Sequence, residues 1–96
     1  MIHFTWDENK NFINLAKHSV DFIEASTVFF DEDALIISDD EHSIEEERYV
    51  LIGLSTKGNV LVVCHCYRKN DEEIRIISSR KATKNESIVY ERRKMN

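Results

Sequence analysis

The chain has 96 residues, of which 42% are hydrophobic and 32% charged, and its formal net charge is −5. That length holds one small core and no second domain, and that mix belongs to a folded rather than a disordered chain. No apolar run approaches the roughly 20 residues of a membrane-spanning helix, so that class is excluded.

"IHFTW" (2–6) alternates as a short strand should. Asp7 is placed to cap a helix whose Phe12, Leu15 and Ala16 fall at helical spacing as far as Lys17. After His18-Ser19, Asp21 with Glu24 three residues on predicts a capping box, and Val20 with Ala25 a hydrophobic staple. Phe22, Ala25 and Phe29 give this second helix an apolar face that ends near Phe30. "ALII" (34–37) reads as a strand, and the acidic stretch through Glu47 as a solvated, mobile loop. "RYVLIGL" (48–54) and "VLVVCHCYR" (60–68) are strands joined by a turn at Lys57-Gly58-Asn59. "EIRIISS" (73–79) is the next strand, and Thr83 with Glu86 opens a last helix, with Ile88 and Val89 offered to the core. The predicted class is α+β: an antiparallel sheet of three to four strands, two N-terminal helices and one C-terminal helix on a single face, in one domain over 1–96.

Charge is segregated along this order. Residues 1–47 hold 13 Asp and Glu against Lys10 and Lys17, a balance of −11, whereas residues 48–96 hold 11 Lys and Arg against five acids, a balance of +6. A solvated surface explains this as well as a basic site for an anionic partner such as nucleic acid. The N-terminus lacks a basic start followed by an apolar stretch, so no secretory signal is expected. Cys64 and Cys66 lie two apart on a strand, a separation of roughly 6.5 Å that strains a disulfide. A reduced, cytoplasmic protein is the expectation.

Alternation puts Val60, Val62, Cys64 and Cys66 on one face of their strand and Leu61, Val63, His65 and Tyr67 on the other. In the last strand it groups Ile74, Ile76 and Ser78 against Arg75, Ile77 and Ser79. With helices on one face, the uncovered one is expected to present His65 beside Arg75, joined by Arg48; a satisfied structural histidine fits the position equally well. "CHC" is a poor zinc pattern, because its sulfurs face away from the histidine between them and no CxxC or HxxxH supplies further ligands. Two core cysteines and no metal site are expected. There is no GxGxxG, Walker loop or GxSxG elbow to hold a cofactor or a nucleophile, so no cofactor is expected.

Trp6-Asp7, Asn14 with Lys17-His18, Glu24-Ala25, His42-Ser43, Glu47-Arg48-Tyr49, and "RIISSRKAT" with Glu86 and Tyr90 form, in this order and spacing, a pattern that resembles the BrnT family. Members of that family are the toxins of bacterial type II toxin–antitoxin pairs, ribonucleases of RelE-like fold. Lys81 stands where the family often has a second arginine, which keeps the charge and loses a forked phosphate contact. The resemblance implies a metal-independent endoribonuclease that inhibits translation and growth. It implies neutralisation by a BrnA-like, ribbon-helix-helix antitoxin in a hetero-oligomer, with DNA reached only through that antitoxin. Cleavage by the RNA's own 2′-hydroxyl needs a base, an acid, and cations for the crowded phosphorane. His65, or Lys17 and His18, are candidates for the proton transfers. Arg48, Arg75 and Arg80 are candidates for the transition-state charge, and Lys81 and Lys84 for RNA binding. A non-catalytic module docking RNA or an acidic protein on the same basic face is the alternative; a metal-binding structural subunit is a weaker third.

Overall fold

The computed structural model describes residues 1–44 and 46–95. In chain order these form β1 (His3–Thr5), α1 (Glu8–His18), α2 (Phe22–Thr27), a 3-10 turn (Val28–Phe30), β2 (Leu35–Ser38), a second 3-10 turn (Asp40–His42), β3 (Tyr49–Leu54), β4 (Val60–Arg68), β5 (Glu73–Lys81) and α3 (Lys84–Lys94). Glu45, in the acidic stretch read as a loop, and Asn96 lie outside the described residues.

The caps form where the side chains predict them. Asp7 accepts from the amides of Asn9 and Lys10, and Ser19 ends α1 in the left-handed region at φ 58°. Asp21 accepts from the Glu24 amide, but Glu24 does not return the bond. Its buried carboxylate instead accepts from Ser55 Oγ at 2.7 Å and Asn59 Nδ2 at 2.9 Å, tying α2 to the β3–β4 turn. At α3 the Thr83–Glu86 box is complete.

The sheet has five strands in the order β1-β5-β4-β3-β2, more than the three to four expected. β1 accounts for the difference. It runs parallel to β5, with His3 opposite Glu73 and Thr5 opposite Arg75, a pairing no local pattern announces. The other pairs are antiparallel.

Both faces of the sheet are covered, not one. On the first, Val20, Phe22, Ala25 and Val28 of the α1–α2 segment pack on Leu51, Leu61, Val63 and Ile76. Gly53 belongs here: a β-carbon on it would sit 2.8 Å from Val28 Cγ1, so the 3-10 turn rests directly on the strand. On the second face α3 covers one end, where Tyr90 packs on Ile52 and Val62. Tyr90, rather than Ile88 or Val89, is the helix's buried residue. Its hydroxyl donates to Asp31 at 2.7 Å, and the same carboxylate oxygen accepts from the Leu54 amide at 2.8 Å.

β5 carries a bulge. Cys64 pairs with Ser78 and His65 with Ile76, which leaves Ile77 as the extra residue. The insertion reverses the alternation beyond it. Ser79, opposite Val63, faces α1, while Ser78 and Arg80, opposite Cys64 and Val62, face the other way. Strict alternation had grouped Ser78 with Ile76 and would have carried Arg80 to the helix side.

Arg80 forks onto Glu86, Nη1 to Oε1 at 2.7 Å and Nη2 to Oε2 at 2.9 Å. This hydrogen-bonded cation, assisted by the Thr83 amide, holds the Glu86 carboxyl at about 2, below its ordinary 4.5. A depressed carboxyl stabilises the fold above its unfolded value and loses that contribution as pH falls through the folded one. Glu86→Gln is therefore expected to melt below the parent at pH 7 and to converge with it as pH falls from 4.5 to about 2. The Arg80 side chain is 42% exposed, so screening limits the gap to about 1 kcal/mol or less. Melting curves across that range check it; a gap that persists undiminished at pH 2 would assign the effect to the cap hydrogen bonds alone.

Candidate active site

β1 stops at Thr5, so the outer edge of β5 beyond Arg75 has no strand beside it. α1 takes that place through one side chain. Asn14, buried, donates from Nδ2 to the carbonyls of Ser79 (2.7 Å) and Val20 (2.9 Å), and its Oδ1 accepts from the Ser79 amide at 3.1 Å. The inward residue of α1 is thus polar, and Phe12 and Leu15, expected to face the core, are 74% and 47% exposed. An amide that answers both an N–H and C=O groups of a strand edge removes two buried desolvation costs at once. The same anchor sets the last turn of α1, with Lys17 and His18, against the groove face of the sheet.

That face holds a groove of about 400 Å³, floored by Val50, Val62, Cys64 and Ser78 and rimmed by Lys17, His18, His42, Arg48, Arg80 and Asp39. A second hollow of about 520 Å³ continues it past His42 and Arg48 to Arg68 and Glu46. A run of ring nitrogens and cations with Asp39 among them suits a polyanion that crosses the whole face.

The far rim is built by the turn after β2. Ser43 Oγ donates to the Asp39 carbonyl at 2.6 Å and accepts from the Arg48 amide at 2.9 Å. The Asp39 amide in turn donates to the Arg48 carbonyl at 2.8 Å. His42 and Arg48 are therefore held by one hydroxyl, although five positions separate Ser43 from Arg48 in the chain. His42 Nδ1 lies 3.0 Å from both Asp39 oxygens. A carboxylate that accepts from Nδ1–H leaves Nε2 as the ring's free acceptor. Sequence reasoning counts His42-Ser43 among the residues of the family likeness but gives His42 no role; the His-Ser pair beside Asp39 is the signal that finds it.

Of the expected site residues, the groove gathers Lys17, His18, Arg48 and Arg80. Arg75 shares the groove's face of the sheet but lies beyond the groove, opposite Cys66. Lys81 pairs with Leu61 and so points to the helix side, and Lys84 lies in the first turn of α3. His65 is a correction. It is wholly buried on the helix side, its ring 4.8 Å from that of Phe29. Nε2 lies 3.2 Å from Tyr67 Oη and Nδ1 3.2 Å from the Val63 carbonyl, and burial lowers its pKa. A neutral ring sealed under Phe29 reaches no phosphate. Alternation sorts the two faces of β4 correctly; the segment from Val20 to Phe30 covers the one that carries His65, and α3 lies on the other.

Burial pushes the thiols of Cys64 and Cys66 up, so both stay protonated near neutral pH. Among the described residues no three His, Cys, Asp or Glu side chains converge as metal ligands.

The profile of the BrnT ribonuclease toxins of type II toxin–antitoxin systems matches residues 6–86. The chain belongs to this family. Its fold is similar to that of the Brucella abortus ribonuclease toxin BrnT, known from a crystal structure at 1.1 Å resolution. The TM-score is 0.67 at 23% identity, over 88% of this chain and 100% of that one. Comparison with individual curated proteins finds no match. Membership of the BrnT toxins makes an antitoxin the partner of this chain and ribonuclease activity its family's chemistry. No helix among the described residues is long and apolar enough to cross a membrane.

Proposed function

We propose that the chain is a metal-independent endoribonuclease whose groove between α1 and the Asp39–Arg48 segment cuts RNA in the cytoplasm, inhibiting translation and growth. The convergence of Lys17, His18, His42, Arg48 and Arg80 on one groove carries this reading. His42 Nε2, with Nδ1 held by Asp39, takes the proton of the 2′-hydroxyl as that oxygen attacks the adjacent phosphorus. The bond to the 5′-oxygen breaks, and His18 or Lys17 protonates the leaving oxygen. Arg48 neutralises the phosphorane oxygens, with Arg80 beside it when its fork is released from Glu86. Arg75 and Lys84 lie outside the groove and hold flanking phosphates of a longer RNA, whereas Lys81, on the helix side, takes no part. A ribbon-helix-helix antitoxin, itself the DNA-binding member of the pair, silences the site in a hetero-oligomer.

The purified chain is expected to degrade RNA at an undiminished rate in EDTA, and its expression without an antitoxin to arrest growth. Gel analysis of RNA with and without chelator checks the first. Cleavage that stops in EDTA and returns with a divalent ion would overturn the metal-independent mechanism.

A further inference from the structure

β2 ends the sheet, paired only with β3, in one-to-one register from Leu35 opposite Ile52 to Ser38 opposite Tyr49. Beyond short length, which β2 has at four residues, proteins blunt such edges with Lys, Pro, a bulge or a covering segment. "LIIS" has none of the first three. Ile36 and Ile37 are 46% and 49% exposed, on opposite faces: Ile36 with Leu51, and Ile37 with Val50 on the groove side.

The ends of the strand say what fits there. Glu32 and Asp33 precede it, Asp40 and Glu41 follow it, and no Lys or Arg occurs between Lys17 and Arg48. Asp31 lies apart, its carboxylate held by Tyr90 and the Leu54 amide, whereas Asp40 accepts from Ser38 Oγ and stays exposed. A second copy pairing antiparallel about Ile36 and Ile37 would bring the Glu32-Asp33 turn of each copy beside the Asp40-Glu41 turn of the other. Like charges crowded at both ends of the pair disfavour it, so the edge is guarded against itself and open to a strand of opposite sign.

We propose that β2 is the docking edge for an extended segment of the antitoxin, basic and apolar in alternation, which joins the sheet as a sixth strand. The identity of the partner rests on the toxin reading above; the chemistry of the segment rests on the edge. A strand added here runs along the Asp39–His42 turn, and its side chains next to Ile37 lie over the groove's rim. Occupying the edge thus also obstructs the RNA path.

The probe is a synthetic decapeptide alternating Lys with Val and Ile, mixed with the full chain. Its binding is expected to slow hydrogen exchange at residues 35–38, and Glu32→Lys with Glu41→Lys to weaken binding by about tenfold or more. A second variant, Glu32→Lys with Asp33→Lys, makes the edge self-complementary and is expected to dimerise where the parent is monomeric. Equal binding to parent and charge-reversed chain, no binding, or protection elsewhere than β2 would overturn the proposal, as would a parent that dimerises through this edge. RNA cleavage by the parent without peptide keeps the two claims apart: its absence counts against the ribonuclease reading alone, whereas with peptide bound a fall in cleavage is the expected result.

Discussion

Arg48→Ala is expected to lower RNA cleavage by about 100-fold, the usual cost of removing one preorganised transition-state donor, while leaving stability within about 0.5 kcal/mol. Arg48 borders both hollows of the groove. Its backbone is fixed by Ser43 and Asp39, and among the described residues no carboxylate pairs with its guanidinium. A guanidinium on a fixed backbone, near Glu46 but hydrogen-bonded to no carboxylate among the described residues, keeps its fork for phosphate. Arg80 contrasts with it: its fork is spent on Glu86, so a phosphate must displace a carboxylate to use it. Arg80→Ala is expected to cost less in cleavage than Arg48→Ala and more in melting temperature. Arg48→Lys separates charge from geometry, since lysine is a cation without the fork. Rates and melting curves of the three variants decide the matter. An Arg48→Ala chain that cuts RNA as the parent does, beside a dead Arg80→Ala chain, would move the phosphate contact to Arg80.

Asn14→Ala is expected to lose both stability and cleavage. The change strips the buried Ser79 amide and two buried carbonyls of their partner, in a residue whose own Oγ already finds no hydrogen bond among the described residues. Each such group costs about 1–3 kcal/mol when stranded, and with partial relaxation a total of about 3 kcal/mol is expected. Cleavage falls as well, because Asn14 is what holds the turn carrying Lys17 and His18 to β5. Ile76→Ala is the comparator. It opens a cavity in the core at a cost of about 2–5 kcal/mol, yet should leave the activity of the folded fraction intact. Denaturant titration with cleavage assayed under folding conditions separates the two. An Asn14→Ala chain that is destabilised but fully active would place the end of α1 outside the chemistry.

β3, β4 and β5 were legible in the sequence because β-branched runs bounded by turn residues leave little choice. The caps at Asp7, Asp21 and Thr83 were legible because short-range hydrogen bonds decide them. The site was only partly so. Arg48 followed from its place at the start of a strand, and Lys17 and His18 from likeness to a family, whereas the placing of His65 depended on which face of β4 is sealed, and alternation sorts faces without naming the inner one. Ile77 was a second blind spot: one inserted residue inverted every side chain after it, and nothing in "RIISSR" marks the insertion. Asn14 was the third. Its inward turn follows from the bare edge of β5, which exists only once β1 has paired and stopped short.

That late-made pairing has a consequence for biosynthesis. His3 meets Glu73, and Asn14 meets Ser79, so the start of the chain has no sheet to join until its final strand has been translated. Closing so long a loop is the slow, entropically costly step. On the ribosome the N-terminal strand and helix wait unassembled, and Lys17 and His18 have nothing to face. A nascent chain interrupted before β5 therefore has no groove, so the site comes into being only with the last strand.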